Sequence, residues 1–241
     1  DGRLNRWLVM PSHDLEKFIA GFERFQQQYY GEDNSRIEEL AQGQHPTSLL
    51  IGCSDSRVDP GLLMGAEPGD VFVSRNIANM VPPCEICQGT HHGVSAAIQF
   101  AVEQLKVERI IVLGHARCGG IRALMRGVPT SDSPFDFVSA WVGIGAAAKR
   151  STLSAFGHAS FEVQCRVCEQ SSILNSLNNL MTYPWVREAI DQGKLSIHGW
   201  YFDLDRGELL AYSKRTGAFL PMVSALERSP ANPESASGVE T

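Results

Sequence analysis

The sequence lacks the marks of several large classes of protein. No cluster of Lys and Arg reaches the density of a nucleic-acid footprint, and the 241 residues carry a net charge of −6, so no polyanionic partner is expected. No apolar run approaches the roughly twenty residues of a membrane-spanning helix. The opening residues, DGRLNRWLVM, lack the basic and apolar regions of a secretory signal; they also lack Met, so a longer precursor stays open. Six cysteines in 241 residues are too few for a disulfide-built scaffold. Their pairing at short spacings suits a reducing compartment, with the cytoplasm as the expectation. There is no internal repeat.

What is present suits a substantial core. A hydrophobic fraction of 43%, evenly scattered, favours one compact domain over residues 1–227 that includes an N-terminal helical arm. Residues 228–241, rich in Ser, Pro and Glu, have too little to bury to order themselves.

From Ser12 to about Tyr30, apolar side chains at Leu15, Phe18, Ile19, Phe22 and Phe25 recur at helical spacing. So aromatic a stripe packs either on its own domain or on a second subunit. Ser48 to Ile51, Val71 to Val73 and Ile110 to Leu113 are short unbroken apolar runs, which suit strands covered on both faces of a parallel sheet. Val94, Ala97, Ile98, Ala101 and Leu105 supply a crossover helix between the second and third. Pro134 to Lys149 and Ser160 to Met181 read as helices, and Pro184 falls near the start of a shorter one. Lys194 to Asp203 and Glu208 to Ser213 read as a hairpin. The fold class is α/β: a central, mostly parallel sheet with flanking helices and an antiparallel edge strand near the C-terminus.

Cys53 and His115 each fall just past the carboxyl end of a predicted strand, and Cys118 opens the following helix. Open parallel sheets collect their ligand sites at that edge. Two thiolates and one imidazole are three-quarters of a tetrahedral zinc shell, and they leave a fourth position for water. Asp55 could close that shell and make the zinc purely structural. Against this, Arg57 can hold Asp55 through bidentate hydrogen bonds and keep it ionised, ready to accept a proton. Zinc with two thiolates is formally neutral, whereas three imidazoles leave two positive charges and bring coordinated water to a pKa of about 7. Activity that rises toward alkaline pH is therefore expected.

The runs Cys53-Ser54-Asp55-Ser56-Arg57-Val58, Ser74-Arg75-Asn76-Ile77-Ala78-Asn79 and Gly114-His115 through Cys118-Gly119-Gly120 resemble those of the β-class carbonic anhydrases, in their plant-like, non-allosteric branch. The resemblance extends from about Leu15 to about Leu210. It implies reversible hydration of carbon dioxide to bicarbonate by attack of zinc-bound hydroxide, with one Zn2+ per chain held by Cys53, His115 and Cys118. It implies Asp55 and Arg57 as the pair that orients and deprotonates the water. Gln44, Phe72, Ile77, Phe100 and Gly119 are implied at the substrate, Phe100 standing where that branch usually has tyrosine. Leu50 and Phe202 replace a tryptophan and a tyrosine of the branch with a regulatory bicarbonate site, so an open centre with water rather than Asp55 on zinc is expected. The implied assembly is a homodimer or a higher even-numbered homo-oligomer, without nucleic acid or membrane.

Other histidines (His45, His91, His92, His158, His198) are candidate proton shuttles by residue type, yet each reads as an ordinary surface or structural residue. Cys84-x-x-Cys87 and Cys165-x-x-Cys168 read as unrelated thiol pairs, with a redox pair or a second zinc site as alternatives. Two other functions stay open: hydrolysis of carbonyl sulfide or carbon disulfide on the same zinc centre, and a non-catalytic zinc or thiol sensor.

Overall fold

The structure, a computed structural model, describes residues 13–86, 91–127 and 136–226. Between His45 and Pro46 the chain divides into two compact units. The first holds α1 (His13–Tyr30) and α2 (Ser35–Gln42). Leu15, Phe18, Ile19 and Phe22 form the apolar stripe of α1 that their spacing predicts, and all four are exposed. Asp33 accepts the N–H of Ser35 at 3.1 Å, so a carboxylate satisfies a donor at the start of α2.

The second unit runs β1 (Ser48–Cys53), α3 (Pro60–Met64), β2 (Val71–Asn76), α4 (Gly93–Gln99), β3 (Arg109–His115), α5 (Gly119–Arg126) and α6 (Phe137–Val142). It continues with α7 (Ala146–Phe156), α8 (Phe161–Leu180), α9 (Pro184–Asp191), β4 (Ser196–Asp203), β5 (Glu208–Ser213) and β6 (Ala218–Val223). The six strands form one sheet in the order β2-β1-β3-β4-β5-β6. The first four are parallel and the last two antiparallel.

Leu49, Leu50 and Ile51 of β1 and Ile110 and Val112 of β3 are fully buried, because helices cover both faces of the inner strands. That is why these strands read as unbroken apolar runs. The sheet has a second antiparallel strand beyond the edge read from sequence. Pro221 lies within β6, and proline cannot donate to a ladder; at the sheet edge that cost disappears. The helix expected over Pro134 to Lys149 begins outside the described residues. Its described part is broken into α6, a 3-10 turn at Gly143–Gly145, and α7, which runs on to Phe156. Two glycines within three residues interrupt the helix where Gly145 approaches Leu124 and Met80. The crossover helix also ends irregularly: Leu105 N–H donates to Phe100 O at 3.0 Å, an i to i+5 bond that makes residues 100–104 a π-turn. The tail 228–241 lies outside the described residues.

Helix α8 lies across the sheet with Ile173 at its centre, fully buried. A Cβ on Gly114 would meet Ile173 Cδ1 at 2.6 Å, and one on Gly199 would meet Ile173 Cγ2 at 2.8 Å. Glycine in the two strands β3 and β4 therefore sets how closely α8 approaches. Replacing Gly199 by Ala should cost about 1–3 kcal/mol through overpacking, read as a lower urea midpoint with unchanged slope. Ile173→Leu in the same chain, which removes the β-branch methyl Cγ2 that the added Cβ would meet, should recover part of it. A Gly199→Ala protein as stable as the wild type would show that α8 sits further from the sheet.

Candidate metal centre

Strand β1 ends on Cys53 and strand β3 on His115, while Cys118 caps α5. Their ligand atoms lie within 4.8 Å of one another, and all three residues are buried. Among the described residues this is the one group of three or more His, Cys, Asp and Glu side chains so placed. Two thiolates at about 2.3 Å from a tetrahedral zinc stand roughly 3.8 Å apart, within that bound. Arg117, at φ +59°, turns the chain back between His115 and Cys118 so that both side chains point into the same space.

The donor chemistry fits a cation. His115 Nδ1 sits 2.9 Å from Ala116 O; a carbonyl only accepts, so Nδ1 carries the proton and Nε2 the lone pair. Nε2 is buried and has no partner within the protein, an arrangement that buried polar atoms avoid unless something else satisfies them. The Cys53 thiol is pulled well below its ordinary value by the hydrogen bond with Cys118, against burial, with help from His115 and the N–H of Asp55. The same bond, together with burial, pushes Cys118 upward. One proton between two sulfurs is what a divalent ion would replace. Burial opposes protonation of His115, but the negative charge of the Cys53 thiolate beside it holds it above its ordinary value. The backbone N–H groups of Gly120 and Ile121 at the start of α5 pull the other way and favour a negative sulfur at Cys118, as the helix dipole does.

Asp55 stands beside this triangle but outside it. Arg57 Nε donates to Oδ1 at 2.9 Å and Nη2 to Oδ2 at 2.7 Å, the bidentate fork expected from sequence. The backbone N–H of Arg57 adds a third bond to Oδ1 at 3.0 Å. These hydrogen bonds from Arg57 hold the Asp55 carboxyl well below the ordinary carboxylate range.

Arg75 does more than motif membership foretold. From the end of β2 its Nε donates to Cys53 O at 2.8 Å, Nη2 to Asp55 O at 2.7 Å and Nη1 to Asp59 Oδ2 at 2.7 Å. Asp59 in turn caps α3 by accepting the N–H of Leu62. One guanidinium thus ties the Cys53–Asp59 loop to the neighbouring strand. The signal in sequence was a lone Arg at a predicted strand end, which spacing alone does not connect to a loop twenty residues earlier.

Phe72 and Phe100 pack together, ring centroids 5.8 Å apart. Ile77 is placed against α5, where a Cβ on Gly120 would meet its Cγ2 at 2.7 Å, and its carbonyl accepts Trp141 Nε1–H at 2.8 Å. Ile77 and Phe100 are each close to half exposed. Gly119 is exposed at the first turn of α5, where an added Cβ would meet nothing within 4 Å. Gln44 is exposed in the first unit, and so is not among the residues the second unit gathers. Cys87 lies outside the described residues. Cys165 and Cys168 are buried in α8, and burial raises both thiols, Cys168 to about 11, which makes them unreactive.

A family profile described as carbonic anhydrase matches residues 48–209. The chain is 44% identical over 190 residues to "Beta carbonic anhydrase 5, chloroplastic" of Arabidopsis thaliana, covering 79% of this chain and 61% of that protein. It is 41% identical to "Beta carbonic anhydrase 6, mitochondrial" of the same plant, covering 83% of this chain and 68% of the relative. The chain thus spans less than two thirds of the first relative's length. Among solved structures, the β-carbonic anhydrase CcaA superposes with TM-score 0.79 at 35% identity, covering 86% of this chain and 99% of that one. A tetrameric β-carbonic anhydrase of Sordaria macrospora superposes with TM-score 0.72 at 27% identity, over 87% of this chain and all of that one. An α/β sheet with a cysteine–histidine–cysteine triangle at its carboxyl edge defines a zinc-type metalloprotein class. Within it, the chain belongs to the β-class carbonic anhydrases, with plant-like relatives.

Lysine cannot make the three directed contacts of Arg75. Arg75→Lys should therefore lower zinc affinity by roughly ten- to a hundredfold, measured by competition with a chromogenic chelator. Unchanged affinity would show that the Cys53–Asp59 loop holds its shape without that guanidinium.

Proposed function

We propose that the protein catalyses reversible hydration of carbon dioxide to bicarbonate and a proton, with one zinc ion held by Cys53, His115 and Cys118. The observation that carries this reading is the ligand triangle standing beside, and not including, a carboxylate locked by an arginine. When bound, zinc would supply the Lewis acidity that makes water a nucleophile.

The chain's own residues do the rest. Asp55, kept ionised by Arg57, accepts a proton from water at the open position. Arg57 fixes the direction of that carboxylate, so the acceptor oxygen need not reorganise during the reaction. Phe72, Ile77 and Phe100 offer apolar surface to a molecule with no net dipole and keep bulk water from competing for the site. Gly119 supplies an N–H at a helix start, where anionic bicarbonate is favoured. The bidentate hold on Asp55 supports the open arrangement, because a carboxylate spent on Arg57 is not spent on the metal.

Two further readings belong here. The exposed apolar stripe of α1 and the half-open Ile77 and Phe100 support a homodimer or a higher even-numbered homo-oligomer, in which a second copy covers them. Two sulfurs this close oxidise readily, so a reducing compartment suits the centre; the cytoplasm is the proposed location, although the two plant relatives carry chloroplastic and mitochondrial in their names. No described helix is long and apolar enough to cross a membrane.

Stopped-flow hydration of carbon dioxide tests the proposal. The zinc-loaded wild type should turn over, and Asp55→Ala should lose about a hundredfold or more of kcat while keeping its zinc. Loss of zinc from Asp55→Ala would instead make Asp55 a ligand. Because two thiolates neutralise the ion, kcat should rise between pH 6 and 9; a profile flat down to pH 6 would contradict the assigned ligand set.

A further inference from the structure

Helix α8 buries Ile173, Ser176, Leu177 and Leu180 along one stripe, and one turn before Ile173 the same stripe carries Glu169, only 3% exposed. A charged side chain at a core position is expensive to desolvate unless its oxygens are hydrogen-bonded. Both are. Oε1 accepts the backbone N–H of Cys118 at 3.0 Å, and Oε2 accepts the hydroxyl of Tyr201 at 2.8 Å. Tyr201 lies on β4 opposite Gly114, the residue before His115. Ile173 of the same helix fills the space left by the glycine at 114, so α8 approaches the end of β3 closely enough for Glu169 to reach past it.

We propose that Glu169 is a positioning residue for the metal centre: by holding the N–H of Cys118 against the β4 strand, it fixes the direction in which that sulfur points. The inference rests on the reading that Cys118 is a zinc ligand. The N–H of a residue that caps a helix lies outside the intrahelical ladder, and Glu169 supplies its acceptor here. An aliphatic side chain at 169 would leave this N–H and the Tyr201 hydroxyl buried without acceptors. Glu169 also lines a polar hollow of about 580 Å3 together with Arg117, Arg122 and Arg166. We assign no ligand to that hollow, since Arg117 and Arg166 are paired with Asp205 and Arg122 with Glu162. In sequence Glu169 simply follows Cys168 on a helix, with nothing to connect it to Cys118 fifty-one residues earlier.

The test is the rate at which zinc passes from the loaded protein to a chromogenic chelator, with cobalt-substituted protein providing the sulfur-to-metal absorption bands. Glu169→Leu should release zinc roughly ten- to a hundredfold faster than wild type, with altered cobalt bands. Glu169→Gln keeps an acceptor for Cys118 and can donate to the Tyr201 oxygen, so its release should stay within about threefold of wild type. Should Glu169→Leu fail to fold, Tyr201→Phe decides: it frees one carboxylate oxygen and should quicken release several-fold at unchanged far-UV circular dichroism. Wild-type release from folded Glu169→Leu, or from Tyr201→Phe where only that variant folds, would overturn the proposal. So would Glu169→Gln behaving as Glu169→Leu, since charge rather than hydrogen bonding would then matter. A wild type that takes up no zinc would instead sink the reading of Cys118 on which this rests.

Discussion

The structure depends on the need of two buried sulfurs and one buried imidazole for a shared positive charge. Cys53 and Cys118 cannot both ionise next to each other without a cation, and the Nε2 of His115 has no protein donor to face. Each group is expensive where it stands and becomes favourable with a divalent ion between them. The rest of the second unit supplies the rigidity that keeps them there. Parallel strands β1 and β3 bring Cys53 and His115 to the same edge of the sheet, and the cap of α5 brings Cys118.

Around that triangle the second layer of hydrogen bonds is made mostly by charged side chains aimed at backbone atoms. Arg75 fastens the carbonyls of Cys53 and Asp55, Arg57 also reaches the carbonyl of Arg117, and Glu169 takes the N–H of Cys118. A side chain bonded to backbone fixes the loop itself, so the direction of every side chain on that loop follows. This gives the loops at the carboxyl edge of the sheet a stiffness that loop length alone would not provide.

How much of this was legible in the sequence follows from what each residue's signal depends on. The convergence of Cys53, His115 and Cys118 and the Asp55–Arg57 fork were readable because they sit in short motifs at the ends of apolar runs, where local pattern fixes strand direction. Strand β6 was hidden by Pro221, whose penalty vanishes at an edge, and the break between α6 and α7 by glycines whose role is a close approach to Leu124 and Met80. Arg75 and Glu169 were opaque for another reason: their partners lie twenty or more residues away, and only the packing of β2 on β1 and of α8 on β3 brings them together. Gln44 shows the limit from the other side, since family pattern names it while its own surroundings are a loop of the first unit.

X-ray absorption at the zinc edge of the loaded protein bears on the central claim most directly. The account predicts two sulfur scatterers at about 2.3 Å and two lighter atoms near 2.0–2.1 Å. A shell of four sulfurs, or one of light atoms only, would contradict it.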